Sequence, residues 1–339
     1  MGETAAGTST GTCSARAALA GNPSDGFGGA VAAVPIPSVT AIVNAQRADR
    51  FEIQPSPTDD DTFATFDGLV RHVDSVGYGD ARQLLLATLR TLRRHLDADI
   101  PPVRLTATST IPRSVGLGGS SAIVIAAIRA LVALAPDTDW ARRLDDPALL
   151  AAIALDAESG ELGIAAGLQD RVVQAMEQPV LMDFIEMTAL VPGLHAGVYE
   201  PLPRVPGVLF VASRLSTAEP SGVAHGSLRG DYEADTGATR RLISDLADHA
   251  RRAATAVRVG DISALGAAMD ATLDTRQALM VLDPRHVAMA DVARSCGCHA
   301  NWTGSGGSVT VLAPNRAVAD AARRALVDDL GCDLIAVSG

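Results

Sequence analysis

The sequence contains no lysine: all 28 basic residues among its 339 are arginine. A Walker-type phosphate loop, which requires Gly-Lys-Ser/Thr, is therefore excluded, and so is Schiff-base chemistry on a lysine amine. No apolar run approaches the ~18 residues of a membrane-spanning helix. The opening MGETAAGTSTGT has neither a basic start nor an apolar stretch, so neither a membrane partner nor a secretory signal is expected. The four cysteines, Cys13, Cys296, Cys298 and Cys332, lack the spacing of a zinc site or of a small disulfide framework. Read as free thiols, they suit a reducing cytoplasm. A basic stripe is missing too. Beyond short pairs such as Arg93-Arg94 and Arg323-Arg324, nothing offsets a net charge of −11, which disfavours a nucleic-acid partner.

What is present describes an ordered globular protein. Hydrophobic residues make up 47% and charged residues 20% of a chain long enough for about two domains. The first dozen residues, small and polar, read as a mobile tail. From Ser38 to Ile53 the chain is rich in Val, Ile and Phe without a helical stripe, which suggests strands. Leu85, Leu89, Leu92 and Leu96 mark one face of a helix. Val103, Leu105 and Ala107 alternate with polar residues as a half-buried strand does, and a glycine-rich turn leads from there into an apolar helix over Ala122–Leu134.

Val180–Phe184 and Val208–Ala212 read as buried strands. The stretch between them holds Pro192, Pro201, Pro203 and Pro206, and places a domain boundary near residue 204, giving units 1–204 and 205–339. Helices follow over Thr239–Val257, Ile262–Met280 and Arg285–Cys296. A strand at Ser308–Leu312, a helix at Arg316–Leu326 and a strand at Leu334–Val337 close the chain. Strands and helices mixed without strict alternation favour an α+β architecture over a doubly wound sheet.

Four segments carry chemistry. PRSVGLGGSSAIVIAA begins at Pro112. Gly116, Gly118 and Gly119 allow close backbone approach, and Ser120, Ser121 and Ala122 open the apolar helix. The exposed N–H groups and positive dipole of that first turn suit a phosphate, although a helix cap alone would read the same way. A second glycine loop, Thr303-Gly304-Ser305-Gly306-Gly307-Ser308, precedes a strand in the other half, and two loops rich in backbone donors suggest a nucleotide at the junction. The third segment, ARAALAGNPSDGFGG, sets Arg16 on an apolar strand and Asn22, Ser24 and Asp25 in a polar turn, where Asp25 also reads as a turn cap. In the fourth, Ala154–Met176, Glu158 reads by itself as a solvated helix-face residue, and Asp170, after Gln169, as a helix-start carboxylate.

In this order the four segments resemble the GHMP superfamily of small-molecule kinases. The central signature appears as Pro112, Gly116, Leu117, Gly118, Gly119, Ser120, Ser121 and Ala122. Within the superfamily the chain is most similar to glucuronokinases, on AGNPSD at Ala20–Asp25, GLGGSSAIV at Gly116–Val124, AAGLQDRVVQ at Ala165–Gln174, MDF at Met182–Phe184 and WTGSGGSV at Trp302–Val309. The resemblance implies a two-domain fold with an N-terminal mixed α/β domain, a C-terminal ferredoxin-like α+β domain and the nucleotide at their junction.

It also implies ATP and Mg²⁺ as cofactors, with the Gly116–Ser121 loop around the phosphates and Ser121 and Glu158 holding the metal. Asp170 matches the general base, Arg16 the group that steadies the transferred phosphoryl, and Asp25 the residue that grips substrate hydroxyls. Asn22, Ser24, Gln169, Thr303, Gly304, Ser305 and Gly306 complete the expected substrate surface. The expected partner is a sugar-like small molecule, and the expected assembly a monomer or homodimer. The chain departs from the pattern at Asn301, where the superfamily often has Lys, and at Gly28, Gly29 and Ala30, where glucuronokinases carry an Arg. The acceptors implied are glucuronate at its anomeric hydroxyl, or a heptose, cyclitol or sugar phosphate. A non-catalytic sugar sensor and a decarboxylase are the remaining alternatives.

Overall fold

The computed structural model describes residues 7–56, 59–76, 83–214, 226–234 and 237–337. Within them the strands are β1 (Thr8–Ala20), β2 (Ala30–Arg47), β3 (Phe51–Ser56), β4 (Asp59–Phe63), β5 (Val103–Ser109), β6 (Val180–Val191), β7 (Leu194–Pro201), β8 (Val208–Ser213), β9 (His299–Trp302), β10 (Ser308–Ala313) and β11 (Asp333–Ala336). The helices are α1 (Phe66–Val76), α2 (Gln83–Leu96), α3 (Gly119–Leu134), α4 (Asp139–Arg143), α5 (Pro147–Asp156), α6 (Leu168–Met176), α7 (Gly226–Ala234), α8 (Ala238–Val259), α9 (Ile262–Leu279), α10 (Pro284–Ser295) and α11 (Arg316–Leu330). A 3-10 turn at Ser24–Phe27 and a π-helical turn at Ala157–Glu161 carry two of the expected site carboxylates.

Strands β1 to β7 form one sheet in the order β4-β3-β5-β2-β6-β7, with β1 laid along β2. Strands β8 to β11 form a second, in the order β11-β8-β10-β9. Pairing is antiparallel except between β3 and β5. The break between the sheets falls after Pro201 and before Val208.

The Pro-rich stretch also contains a strand that its composition conceals. Among the described residues β7 pairs only with β6, and an edge strand tolerates a proline such as Pro201. The reading of the first dozen residues as a tail is corrected as well. Residues 1–6 lie outside the described residues, but Thr8–Thr12 already pair with Gln46–Ile42 of β2. Alternating Thr and small residues make an adequate strand when a long partner edge is available, and local polarity does not report that edge.

α3 is apolar nearly all round and packs against β1 and β2, and Gly11 of β1 lets it approach, since a Cβ there would run into Ala126 O and Ala130 N of the helix. One core runs through both halves: Ala247, Ala250 and Ala254 of α8 and Leu265 of α9 join Leu19, Val34 and Val43 of the first sheet. A separate cluster, with Phe210, Met289, Trp302 and Val311, lies under the second sheet. Among the described residues, no helix is long and apolar enough to cross a membrane. All four cysteines are free thiols.

Candidate active site

β1 draws the glycine loops together. Its Arg16 N–H donates to Leu117 O at 3.2 Å and its Ala18 N–H to Thr303 O at 3.0 Å. Residues two apart on a strand present their N–H groups to the same edge, so both loops dock on the side of β1 turned away from β2. The Arg16 side chain, 4% exposed, completes the junction. Its Nε donates to Asp170 Oδ1, and its Nη1 to both Gly116 O and Thr303 O, each at 2.7 Å. One guanidinium thus joins segments 100, 154 and 287 residues away along the chain.

Packing at this junction requires glycine at 304. A Cβ there would stand 2.6 Å from Gly116 O and 2.9 Å from Arg16 Nη1, closer than heavy atoms tolerate. Ser308 Oγ donates to Val115 O at 2.6 Å, and Gln174 Nε2 donates to Gly118 O at 2.7 Å and Ser14 O at 3.1 Å.

The loop bound this way stays open on its other side. Pro112, Gly116, Gly118 and Gly119 are half-buried and Ser120 is exposed, while Leu117, Ser121 and Ala122 are buried. No side chain caps α3, and the Ser121 hydroxyl bonds back to Gly118 O at 3.1 Å. Uncapped N–H groups at the start of a 16-residue helix, beside a glycine turn, form the donor set that an oligophosphate takes. In the second loop Gly304, Ser305 and Gly306 are half-buried and Thr303 is buried.

Two carboxylates face Arg16. Asp170 lies in the first turn of α6, with Arg171 Nη1 3.6 Å from its other oxygen. Asp25 sits in the 3-10 turn against Gly167, where a Cβ would come within 2.6 Å of its Oδ2. Burial pushes the Asp25 carboxyl up to about 6; the negative charge of Asp170 adds to the shift and Arg16 opposes it. Asn22 and Ser24 are buried and bound within the chain, Asn22 Nδ2 to Trp302 O at 3.1 Å and Ser24 Oγ to Ala30 O at 2.7 Å. Asn301 Nδ2 donates to Asn22 Oδ1 at 2.9 Å and to Leu19 O at 3.1 Å, so Asn301 ties β9 to this turn. The Gln169 amide nitrogen is buried without a partner.

Glu158 is not a solvated face residue. It is fully buried, with Oε2 bound by Arg171 Nε at 2.9 Å and by Arg171 Nη2, and with Oε1 lacking any partner. The compensating cation arrives from α6, 13 residues later, which local polarity could not disclose. Burial works against the Arg171 cation, yet Glu158 and Asp170 outweigh it and raise its pKa above the ordinary arginine value. An unpaired, buried carboxylate oxygen is chemistry that suits a hard cation.

Sequence reasoning passed over Arg171, Gln174 and Arg276. The last sits on α9, 1% exposed, its Nη2 donating to Gly304 O at 3.0 Å and its guanidinium 5.1 Å from the centre of the Trp302 ring. A signal for it was available: Leu265, Met269, Thr272 and Arg276 recur at i, i+4, i+7 and i+11, an apolar stripe ending in a cation.

Residues 83–178 match the GHMP kinases N terminal domain and residues 253–331 the GHMP kinases C terminal domain. The chain is 32% identical over 315 residues to Glucuronokinase 1 of Arabidopsis thaliana, spanning 88% of this chain and 83% of that protein. It is 30% identical to Probable glucuronokinase 2 of the same plant, with the same coverage. In three dimensions it resembles the mevalonate kinase of Methanococcus jannaschii, with a TM-score of 0.74 at 13% identity over the full length of both chains. The two glycine loops brought onto one strand edge, and two family models that each contain one of those elements or its flank, lead to the same conclusion: the chain belongs to the GHMP kinases and is an ATP-dependent small-molecule kinase.

Proposed function

We propose that the protein transfers the terminal phosphoryl group of ATP to the anomeric hydroxyl of a sugar acid such as glucuronate. The observation that carries this reading is the position of Arg16, which holds Asp170 with one nitrogen and both glycine loops with another. Asp170 is thereby oriented at the mouth of the phosphate-binding turn, where a carboxylate can take the proton of the attacking hydroxyl. The Arg16 guanidinium, always charged, offsets the negative charge that spreads over the transferred group in a loose transition state. The N–H groups at the start of α3 hold the phosphates in line.

Ser121 and Glu158 would hold Mg²⁺, Glu158 through its unpartnered Oε1. When bound, that ion shields the charge between neighbouring phosphate oxygens. Asp25, set by Asn22 and Ser24, accepts from sugar hydroxyls, and the free Gln169 amide donates to a sugar oxygen. The unit 1–204 supplies the base and the first glycine loop, the unit 205–339 the second. The similarity to Glucuronokinase 1 favours a uronic acid among the possible acceptors.

The test is a panel of hexoses, uronic acids, heptoses and cyclitols incubated with the purified protein, ATP and Mg²⁺. Transfer to glucuronate at its anomeric oxygen is the expected result. Turnover restricted to a neutral heptose or a cyclitol would overturn the acceptor assignment, and absence of turnover on every acceptor would overturn the reaction.

A further inference from the structure

We infer that Arg276 binds the negatively charged group of the acceptor, the carboxylate of a sugar acid; the inference rests on the functional reading above. Three arginines are buried around the junction. Arg16 is paired with Asp170, and Arg171 with Glu158. Arg276, equally buried, has no carboxylate within ion-pair reach among the described residues, and its Nε and Nη1 have no hydrogen-bond partner at all. A buried guanidinium with two orphaned nitrogens is a charge whose desolvation the Gly304 carbonyl and the Trp302 ring offset only in part, which leaves room for an acceptor from outside.

The surroundings indicate which ligand. Arg276 and Arg16 meet at one residue: Arg276 Nη2 donates to Gly304 O, and Arg16 Nη1 lies where a Gly304 Cβ would be 2.9 Å away. Trp302, under the Arg276 guanidinium, has its own carbonyl held by Asn22 of the Asp25 turn. Arg276 therefore stands on the substrate side of the junction, with the turn that carries Asp25, while the phosphate-binding start of α3 lies beyond Gly304. Burial draws the Arg276 cation down to about 10, Asp25 opposing and Arg16 reinforcing the shift, and an arriving carboxylate would meet two guanidinium nitrogens still without a partner.

The experiment compares glucuronate with glucose, which differs from it only in carrying a hydroxymethyl where the acid has a carboxylate. For Arg276→Met, kcat/KM on glucuronate is expected to fall ~10²-fold, mostly through KM, while weak turnover of glucose and the KM for ATP change less than about threefold. The unliganded variant should melt close to wild type, because removal of a buried charge without a carboxylate partner offsets the lost bond to Gly304 O and the lost contact with Trp302. Arg276→Gln, which keeps a donor for Gly304 O, is read in the same way if the methionine variant fails to fold. An unchanged preference for the acid, an equal loss on both sugars, or a raised KM for ATP would each overturn the inference while leaving the sugar-acid kinase intact. A wild-type enzyme that turns over no sugar acid would overturn both.

Discussion

Replacing Arg16 by Met should destabilise the protein by about 4 kcal/mol, a loss that follows from the three hydrogen bonds its guanidinium makes. The apolar stem is retained, so the change isolates the charge. Breaking one side of a buried ion pair costs about 3–5 kcal/mol, and Asp170, 20% exposed on its side chain, lies toward the lower end because water can reach it once Arg16 is gone. Leaving Gly116 O without its side-chain donor adds about 1 kcal/mol, whereas Thr303 O keeps the N–H of Ala18. Urea denaturation followed by tryptophan fluorescence is a suitable assay, because the protein has two tryptophans, Trp140 and Trp302, both buried, and Trp302 directly precedes the second loop. A double-mutant cycle with Asp170→Ala should show a coupling of about 1.5–3 kcal/mol. Asp170→Asn, which keeps an acceptor for Arg16 Nε, should fold close to wild type yet lose at least ~10²-fold in turnover. Single-variant losses under about 1 kcal/mol, or additive losses in the cycle, would refute the view that this guanidinium ties the junction together.

Two further outcomes test the same site. Because the folded protein raises Asp25 to about 6 from an ordinary value near 3.9, it favours the protonated form; that contribution is fully present below about pH 4 and is lost as pH rises through 6. Asp25→Asn should therefore melt above wild type at pH 8, by the equivalent of about 2 kcal/mol, with the difference vanishing by about pH 4, and a difference independent of pH would contradict the assignment. Gly304→Ala should destabilise by about 1–3 kcal/mol and raise the KM for ATP about tenfold, by forcing the loops apart at Gly116 O; a wild-type KM in that variant would show that the close approach is not needed for nucleotide binding.

Much of the architecture was legible because it depends on local rules. The helices over Ala238–Val259 and Ile262–Leu279 announce themselves by periodicity, and Gly331 ends Arg316–Leu330 in the left-handed conformation that glycine adopts freely. The strand at Thr8–Thr12 and the strand at Leu194–Pro201 were obscured, since each owes its existence to a neighbouring edge rather than to its own composition. At the site, residue identity disclosed which groups bear chemistry but not what each one touches. Glu158 reads as a surface carboxylate until Arg171 is placed against it, and Asn301 reads as a missing lysine until its bonds to Asn22 and Leu19 are seen.

By itself, the sequence determined that any phosphate must be held by arginine and backbone donors, since it has no lysine, and the kind of reaction followed from the resemblance of its four segments to the GHMP kinases. Only the tertiary structure decided which arginines are already satisfied. Arg16 and Arg171 find carboxylates contributed by distant segments, whereas Arg276 finds a carbonyl and an aromatic ring, and that difference arises from packing between elements that no local pattern encodes. A side chain's charge is written in its residue type, but whether that charge is compensated depends on what the fold brings within hydrogen-bonding distance.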